Sequence, residues 1–386
     1  MADHPPQPVR VTLILEAVAG GTRTHLLHLL NGLNTPDFEF TVVVSAERNP
    51  AFREDMAALE SRGVRVIELP MLRRVAPCRD IAAGMRLRRL LRDAQPQVIH
   101  THASKAGGLG RLAAAAVPGA TTVHTPHTLH FQGRTGIARY FYRGAERLLL
   151  GRTDILICLT EAQRRLAKEA LHTPEEKLRV IPNGVDCEHF RPNGNAAEAR
   201  RTLGLPVSGP VVAQIGRLVP QKRFDLFLRA AALAAAALPE ARFLIVGEGP
   251  LRQRLQRLAS ALKLERHLIW RPGLPDPRPV YAAADVVALT SSYEGLPCVL
   301  LEAMAMETPV VASEQIGCEE LVRPGAGLLA DPARTESFAD ALLSLMRDEG
   351  RRREMGKAAR EHVCESFSLD RFLDAMRALY LEQAAR

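Results

Sequence analysis

Short runs of apolar and β-branched residues alternate along the chain with longer stretches of helical spacing. VRVTLILE at 9–16, FEFTVVVS at 38–45, VRVIEL at 64–69, QVIH at 97–100, ATTVHT at 120–125 and DILICLT at 154–160 each read as a strand. Strands that are apolar on both sides predict a parallel sheet covered by helices on both faces. The rhythm restarts at PVVAQIG (210–216) and continues through ARFLIVG (241–247), HLIWR (267–271), ADVVALT (284–290), TPVVAS (308–313) and GLLAD (327–331). The restart predicts a second domain of the same kind, giving an α/β chain of two Rossmann-like, doubly wound domains facing across a cleft. Residues 187–209, polar and rich in Gly, Pro and Asn, read as a linker. The expected domains are therefore 1–187 and 188–366, followed by a helix at 367–386 marked by Phe372, Met376, Leu379 and Tyr380. Periodicity leaves open whether that helix stays with the second domain or returns to the first.

Composition adds limits. A chain of 386 residues suits two cores, and 47% hydrophobic with 24% charged residues is ordinary for a soluble globular protein. The first ten residues contain no apolar signal segment, and no later stretch approaches the roughly 20 apolar residues a membrane span needs. Export and membrane insertion are thus not expected, and the expected location is cytoplasmic. The six cysteines are far apart, without a C-x-x-C pair or metal-ligand spacing, and read as reduced thiols. The net charge of +8 resides mainly in residues 1–186, with 25 Lys+Arg against 18 Asp+Glu; residues 187–386 hold 26 against 25. A basic first half suits a phosphorylated acceptor, an anionic membrane surface or a nucleic acid. A nucleic-acid surface also needs basic residues interleaved with aromatics, and only 5% of residues are aromatic.

Ligands of open α/β sheets bind beyond the carboxyl ends of strands. Gly20 and Gly21 follow the first strand and open a helix, where bare amides suit an anion. Arg217 and Lys222 follow PVVAQIG and together suit a diphosphate, whose growing charge as a leaving group they could stabilise. Glu294 and Glu302 flank GLPCVLL just after ADVVALT, Glu294 in a loop and Glu302 just inside a helix; carboxylates there suit sugar and ribose hydroxyls. His100 and His102 end one strand, and His124, His127 and His130 surround the end of another. No carboxylate accompanies them at zinc spacing, so they read as hydrogen-bonding groups rather than metal ligands.

These segments resemble the retaining glycosyltransferases of family four, which have the GT-B fold. The resemblance runs through AGGTRTH (19–25), VIHTHASKAGGLGRLAA (98–114), TVHTPH (122–127), AER (145–147), VIPNGVD (180–186), IGRLVPQK (215–222), VGEGP (246–250), SSYEGLPCVLLEAMA (291–305) and TPVVAS (308–313). It implies that Arg217 and Lys222 bind the donor diphosphate, that Glu294, with Gly295 and Leu296 beside it, holds the transferred sugar, and that Glu302 binds the ribose. Pro272 and Gly273 would form the base pocket, Gly20 and Gly21 would face the donor phosphates, and His127 would stand beside the sugar. His25, His102 and Lys105 fall on the acceptor side. His127, Glu294, Arg217 and Lys222 are the residues the resemblance makes catalytic. Family members retain anomeric configuration and need neither cofactor nor metal. Three positions depart from the pattern: Lys222-Arg223 replaces the frequent Lys-Gly, Gly317-Cys318 replaces Gly-Gly ahead of Glu320, and Thr160 replaces a common serine.

The resemblance is to transferases that build bacterial capsule, exopolysaccharide or lipopolysaccharide, with a UDP-sugar as the expected donor and a glycan or polyprenyl-diphosphate-linked acceptor. Such an acceptor makes peripheral inner-membrane contact an expectation, and MRLRRLLR (85–92), with Met85, Leu87, Leu90 and Leu91 among four arginines, has the spacing of an interfacial helix. The alternative is a nucleotide-sugar epimerase of the same architecture. A dehydrogenase is disfavoured because no G-x-G-x-x-G follows the first strand.

Overall fold

The computed structural model describes residues 7–72, 74–192 and 194–385. The first six residues, Asn193 in the expected linker and Arg386 in the last segment lie outside the described residues. The chain divides into one unit made of residues up to Asn183 and from Asp370, and a second unit, Gly184–Leu369.

The strands of the first unit are β1 (Val9–Leu15), β2 (Phe38–Val44), β3 (Arg65–Glu68), β4 (Val98–His102), β5 (Thr121–Thr125), β6 (Ile155–Cys158) and β7 (Leu178–Val180). They form one parallel sheet in the order β3-β2-β1-β4-β5-β6-β7. Its helices are α1 (Gly21–Leu33), α2 (Phe52–Glu60), α3 (Pro77–Ala94), α4 (Ser104–Ala114), α5 (Gly136–Leu150) and α6 (Glu161–Leu171). The chain begins in the middle of the sheet, winds outward through β2 and β3, then crosses back to β4 and proceeds the other way. Residues 178–180 form a short strand that the sequence pattern does not mark.

The second unit contains α7 (Ala196–Thr202), β8 (Val211–Ile215), α8 (Phe224–Ala237), β9 (Arg242–Val246), α9 (Arg252–Ala261), β10 (Leu268–Arg271), α10 (Arg278–Ala283), β11 (Val286–Leu289), α11 (Cys298–Ala305), β12 (Val310–Ser313), β13 (Leu328–Ala330), α12 (Thr335–Met346) and α13 (Glu349–Ser366). Its parallel sheet runs β10-β9-β8-β11-β12-β13. Part of the expected linker is α7, anchored by buried Arg200, which donates to Asp285 at 2.6 Å and to the Ala283 carbonyl at 3.0 Å. Its Ala-Ala-Glu-Ala core is helix-forming.

The last helix, α14 (Leu369–Ala384), belongs to the first unit after its opening residue. Phe372, Met376, Leu379 and Tyr380 are its buried stripe, and the Tyr380 hydroxyl lies 2.6 Å from His100 Nδ1. The residues that leave and re-enter the second unit run side by side, with Val185 bridged to Ser368.

Two expectations need correction. Cys187 and Cys364 form a disulfide, with Cα atoms 5.9 Å apart; a separation of 177 residues conceals from the sequence that both flank the same crossover. Cys78, Cys158, Cys298 and Cys318 lie outside any disulfide. In MRLRRLLR, Leu87 and Leu91 are fully buried in the core between α3 and the sheet and Leu90 is half-buried, while Met85 is exposed, so the leucines of that stripe face the protein rather than lipid. No helix among the described residues is long and apolar enough to cross a membrane.

Alkylation of the denatured, unreduced chain followed by mass spectrometry should label four cysteines, and all six after reduction. Six labels without reductant would show that the Cys187–Cys364 bond is absent.

Candidate active site

Where the strand order of a parallel sheet reverses, the loops leaving the two central strands pass to opposite faces and open a crevice at the carboxyl edge. In the second unit the reversal lies between β8 and β11. The chain leaving β8 passes Gly216 and the exposed Arg217 into a short 3-10 turn, Pro220–Lys222. The chain leaving β11 passes through Glu294 to Pro297, where α11 begins. The Lys222 ammonium meets the Glu294 carboxylate at 2.5 Å, the two side chains being 18% and 10% exposed. Further bonds join the loops: Ser292 N–H donates to the Gln221 carbonyl at 2.8 Å, Gln221 Nε2 to the Tyr293 carbonyl at 2.9 Å, and the Thr290 hydroxyl lies 3.0 Å from the Lys222 carbonyl.

Two backbone features explain local sequence. Arg223 has φ 47°, the left-handed conformation that costs a side chain roughly 1–2 kcal/mol and that glycine adopts freely. This accounts for the glycine usual at that place in the resembling family. A Cβ on Gly317 would stand 2.3 Å from the Gly295 carbonyl oxygen and 2.9 Å from that of Glu294. Only glycine lets the loop after β12 lie against the Glu294 loop, and Gln315 completes the contact by accepting the Glu294 N–H at 3.0 Å. Gln315 carries no motif that could have marked it as the residue positioning Glu294.

Glu302, on α11, is partly buried and accepts the Tyr281 hydroxyl at 2.5 Å. Burial pushes its carboxyl up to about 7, with the Tyr281 bond opposing and nearby Asp276 adding a little. Gly295 and Leu296 are buried beside Glu294, whereas Pro272 and Gly273 lie in the exposed loop leaving β10, two strands from β8.

In the first unit the reversal lies between β1 and β4. Gly20, at φ 61° and ψ −145°, caps α1, and Gly21 opens it. His25 from α1, His102 from the end of β4 and His127 from beyond β5 converge: their rings lie 4.8–5.5 Å apart, and each brings a nitrogen within 4.8 Å of the others. Asn183, in VIPNGVD, faces His25 Nδ1 at 2.9 Å; its side-chain carbonyl makes that nitrogen the donor and leaves Nε2 the lone pair. His25 Nε2, His127 Nε2 and both nitrogens of His102 are buried and make no hydrogen bond among the described residues. Burial lowers His25 to about 4 and holds His102 and His127 well below the ordinary range, so at neutral pH the cluster is uncharged. Three imidazoles offering nitrogens this close are a set that could hold a zinc-class ion.

His100 and His124 serve the core instead: His100 bonds Tyr380 and Thr125, and His124 bonds Thr101. Lys105, expected on the acceptor side, is already engaged within the first unit. Its ammonium is fixed by Asp80 at 2.5 Å and the Arg74 carbonyl at 3.1 Å. The amide of Ala106 in the first turn of α4 is taken by the buried Glu16 carboxylate at 2.9 Å, so an internal anion already occupies that helix start.

Family models match both halves of the chain: Glycosyltransferase Family 4 over residues 19–189 and Glycosyl transferases group 1 over residues 195–362. The chain belongs to the family 4 glycosyltransferases. This glycosyltransferase is 31% identical to the Escherichia coli UDP-Gal:alpha-D-GlcNAc-diphosphoundecaprenol alpha-1,3-galactosyltransferase, over 83% of the chain and 84% of the relative. It is 33% identical to the D-inositol 3-phosphate glycosyltransferase of Acidothermus cellulolyticus, over 80% and 72%. Its fold matches that of Anabaena HepE in complex with UDP-glucose (TM-score 0.81, 20% identity, 97% and 99% covered) and sucrose-phosphate synthase from Thermosynechococcus elongatus (TM-score 0.81, 22% identity, 98% and 100% covered). The glycosyltransferase therefore has the GT-B fold and uses a nucleotide sugar.

Two measurements follow from this geometry. An acid with a raised folded pKa favours the fold while protonated, so the Glu302 contribution is present below about pH 4.5 and lost as pH rises toward 7; the shift is worth at most about 3 kcal/mol. The melting temperature of the wild type relative to Glu302→Gln should fall between pH 5 and 8; a constant difference would show that Glu302 titrates normally. Gly317→Ala should displace the Glu294 loop and cut turnover at least about tenfold, and unchanged turnover would show that the loop tolerates the shift.

Proposed function

We propose that this glycosyltransferase is retaining and metal-independent, and moves a hexose from a UDP-sugar to a hydroxyl of a sugar carried on a polyprenyl diphosphate, on the cytoplasmic face of a membrane during cell-surface polysaccharide synthesis. The observation that carries the reading is the Lys222–Glu294 pair beside Arg217 at the β8/β11 reversal. It sets a fixed ammonium, with Arg217 earlier on the same loop, where a diphosphate would leave and a carboxylate where a sugar would be gripped. The E. coli relative, whose name states a UDP-galactose donor and a diphosphoundecaprenol acceptor, supports the choice of UDP and of a lipid-linked acceptor, and transfer rather than epimerisation. GDP is the second choice of donor.

Arg217 and Lys222 neutralise the departing diphosphate, the role a divalent ion plays elsewhere. Glu294 hydrogen-bonds the sugar hydroxyls and Glu302 those of the ribose, with Pro272 and Gly273 flanking the base. Gly20 and Gly21 offer amides to phosphate oxygens. His127, with His25 and His102 behind it, is neutral and supplies one donor and one acceptor to sugar hydroxyls, which would satisfy nitrogens otherwise left unpaired. The acceptor hydroxyl attacks on the face the diphosphate leaves, and a diphosphate oxygen takes its proton, so no enzyme nucleophile forms. Lys105 is not assigned an acceptor role.

Lys222→Ala alone is a poor probe, because it strands a buried carboxylate at a cost on the order of 3 kcal/mol. Arg217 is exposed, so its truncation opens no cavity in the core. Assayed with UDP-sugars and a sugar diphosphopolyprenol, the wild type should transfer equally with and without EDTA and give the donor's anomeric configuration by NMR. Arg217→Ala should lose at least about a hundredfold in turnover at unchanged melting temperature. An inverted product, EDTA sensitivity or an active Arg217→Ala would each remove the corresponding part of the mechanism.

A further inference from the structure

Helix α5 is built unlike the other helices covering the first sheet. Of its 15 residues only Leu150 is buried, although it carries six large apolar or aromatic side chains besides. Ile137 is 88% exposed, Leu148 80%, Phe141 68% and Tyr140 67%. Ile137, Phe141 and Leu148 fall at i, i+4 and i+11, with Gly144 at i+7, and therefore line one outward stripe; Tyr140 stands beside it. Core packing explains none of these four, since the helix rests on its opposite side through Tyr142, Ala145 and Leu149.

The charge around the stripe has one sign. Residues 134–152 contain Arg134, Arg139, Arg143, Arg147 and Arg152 against a single acid, Glu146. Glu146 is turned inward and committed to the buried Arg111 at 2.9 Å. Arg143 lies over the Tyr140 ring, 5.2–5.4 Å being the range for this contact and that of Arg134 over Tyr142. The neighbouring helix α4 adds exposed Leu112 (50%), and α3, packed on α4, adds exposed Met85 and Ile81.

We propose that α5 is a membrane-docking helix: Ile137, Tyr140, Phe141 and Leu148 enter the headgroup boundary of a bilayer while Arg139, Arg143 and Arg147 meet anionic lipid phosphates. An apolar stripe rimmed by arginines and free of outward acids matches an anionic bilayer in both of its properties, whereas a nucleic acid would match only the charge. The inference extends the lipid-linked acceptor reading by naming the surface that meets the lipid, but it does not need the transfer reaction.

The test is cosedimentation of the full chain, without donor or acceptor, with phosphatidylcholine vesicles containing or lacking phosphatidylglycerol. The wild type should bind the anionic vesicles and release them in high salt. Phe141→Glu with Leu148→Glu, both exposed and so neutral for folding by melting temperature, should weaken binding about tenfold or more, as should Arg139→Glu with Arg147→Glu. Wild type that ignores anionic vesicles, or binding untouched by either pair of substitutions, overturns the proposal. So does a dimer in solution that Phe141→Glu with Leu148→Glu dissociates while vesicle binding is absent, because a second copy then covers the stripe. Vesicle binding without sugar transfer would instead overturn the reading of function and leave this one standing.

Discussion

The reversal of strand order between β8 and β11 is the constraint on which the proposed donor chemistry depends. It makes neighbours of two loops whose key residues, Lys222 and Glu294, are 72 positions apart, and it does so at the carboxyl edge of the sheet. The ion pair is then not chiefly a source of stability, since a partly buried pair repays little beyond its own desolvation. Its effect is to fix the ammonium in position before any ligand arrives. In the proposed mechanism, an ammonium already held where charge develops costs no reorganisation during the reaction.

The same topological feature in the first unit gathers a different chemistry. Between β1 and β4 the residues brought together are imidazoles kept neutral by burial, with Asn183 setting the tautomer of one. Buried nitrogens without partners cost free energy, and sites are where such costs persist. The second unit thus presents fixed charge and the first presents uncharged hydrogen-bonding capacity.

Much of this was legible in the sequence because strand runs and post-strand residues are local signals. Twelve of the strands, the Lys222 and Glu294 positions and the three histidines follow from runs and motifs read in order. What stayed hidden depends on contacts between distant residues. The disulfide joins Cys187 to Cys364 across a whole domain, and Gln315 acts through one backbone amide. Lys105 shares a motif with the histidines, yet an acid on α3 claims it. The helix at 85–92 misled because amphipathic spacing is the same whether the apolar face meets a sheet or a membrane; only burial separates α3, whose leucines are covered, from α5, whose stripe is not. Arg223 and Gly317 show the converse, where a departure from and an agreement with the family pattern gain a reason once their backbone geometry is known.

The most direct test of the central claim is calorimetric titration of UDP into the wild type and into Arg217→Ala, in the presence of EDTA. The account predicts saturable binding by the wild type that weakens at least about tenfold, or 1.4 kcal/mol, in the variant. Equal affinity for the two proteins, or binding that EDTA abolishes, would contradict it.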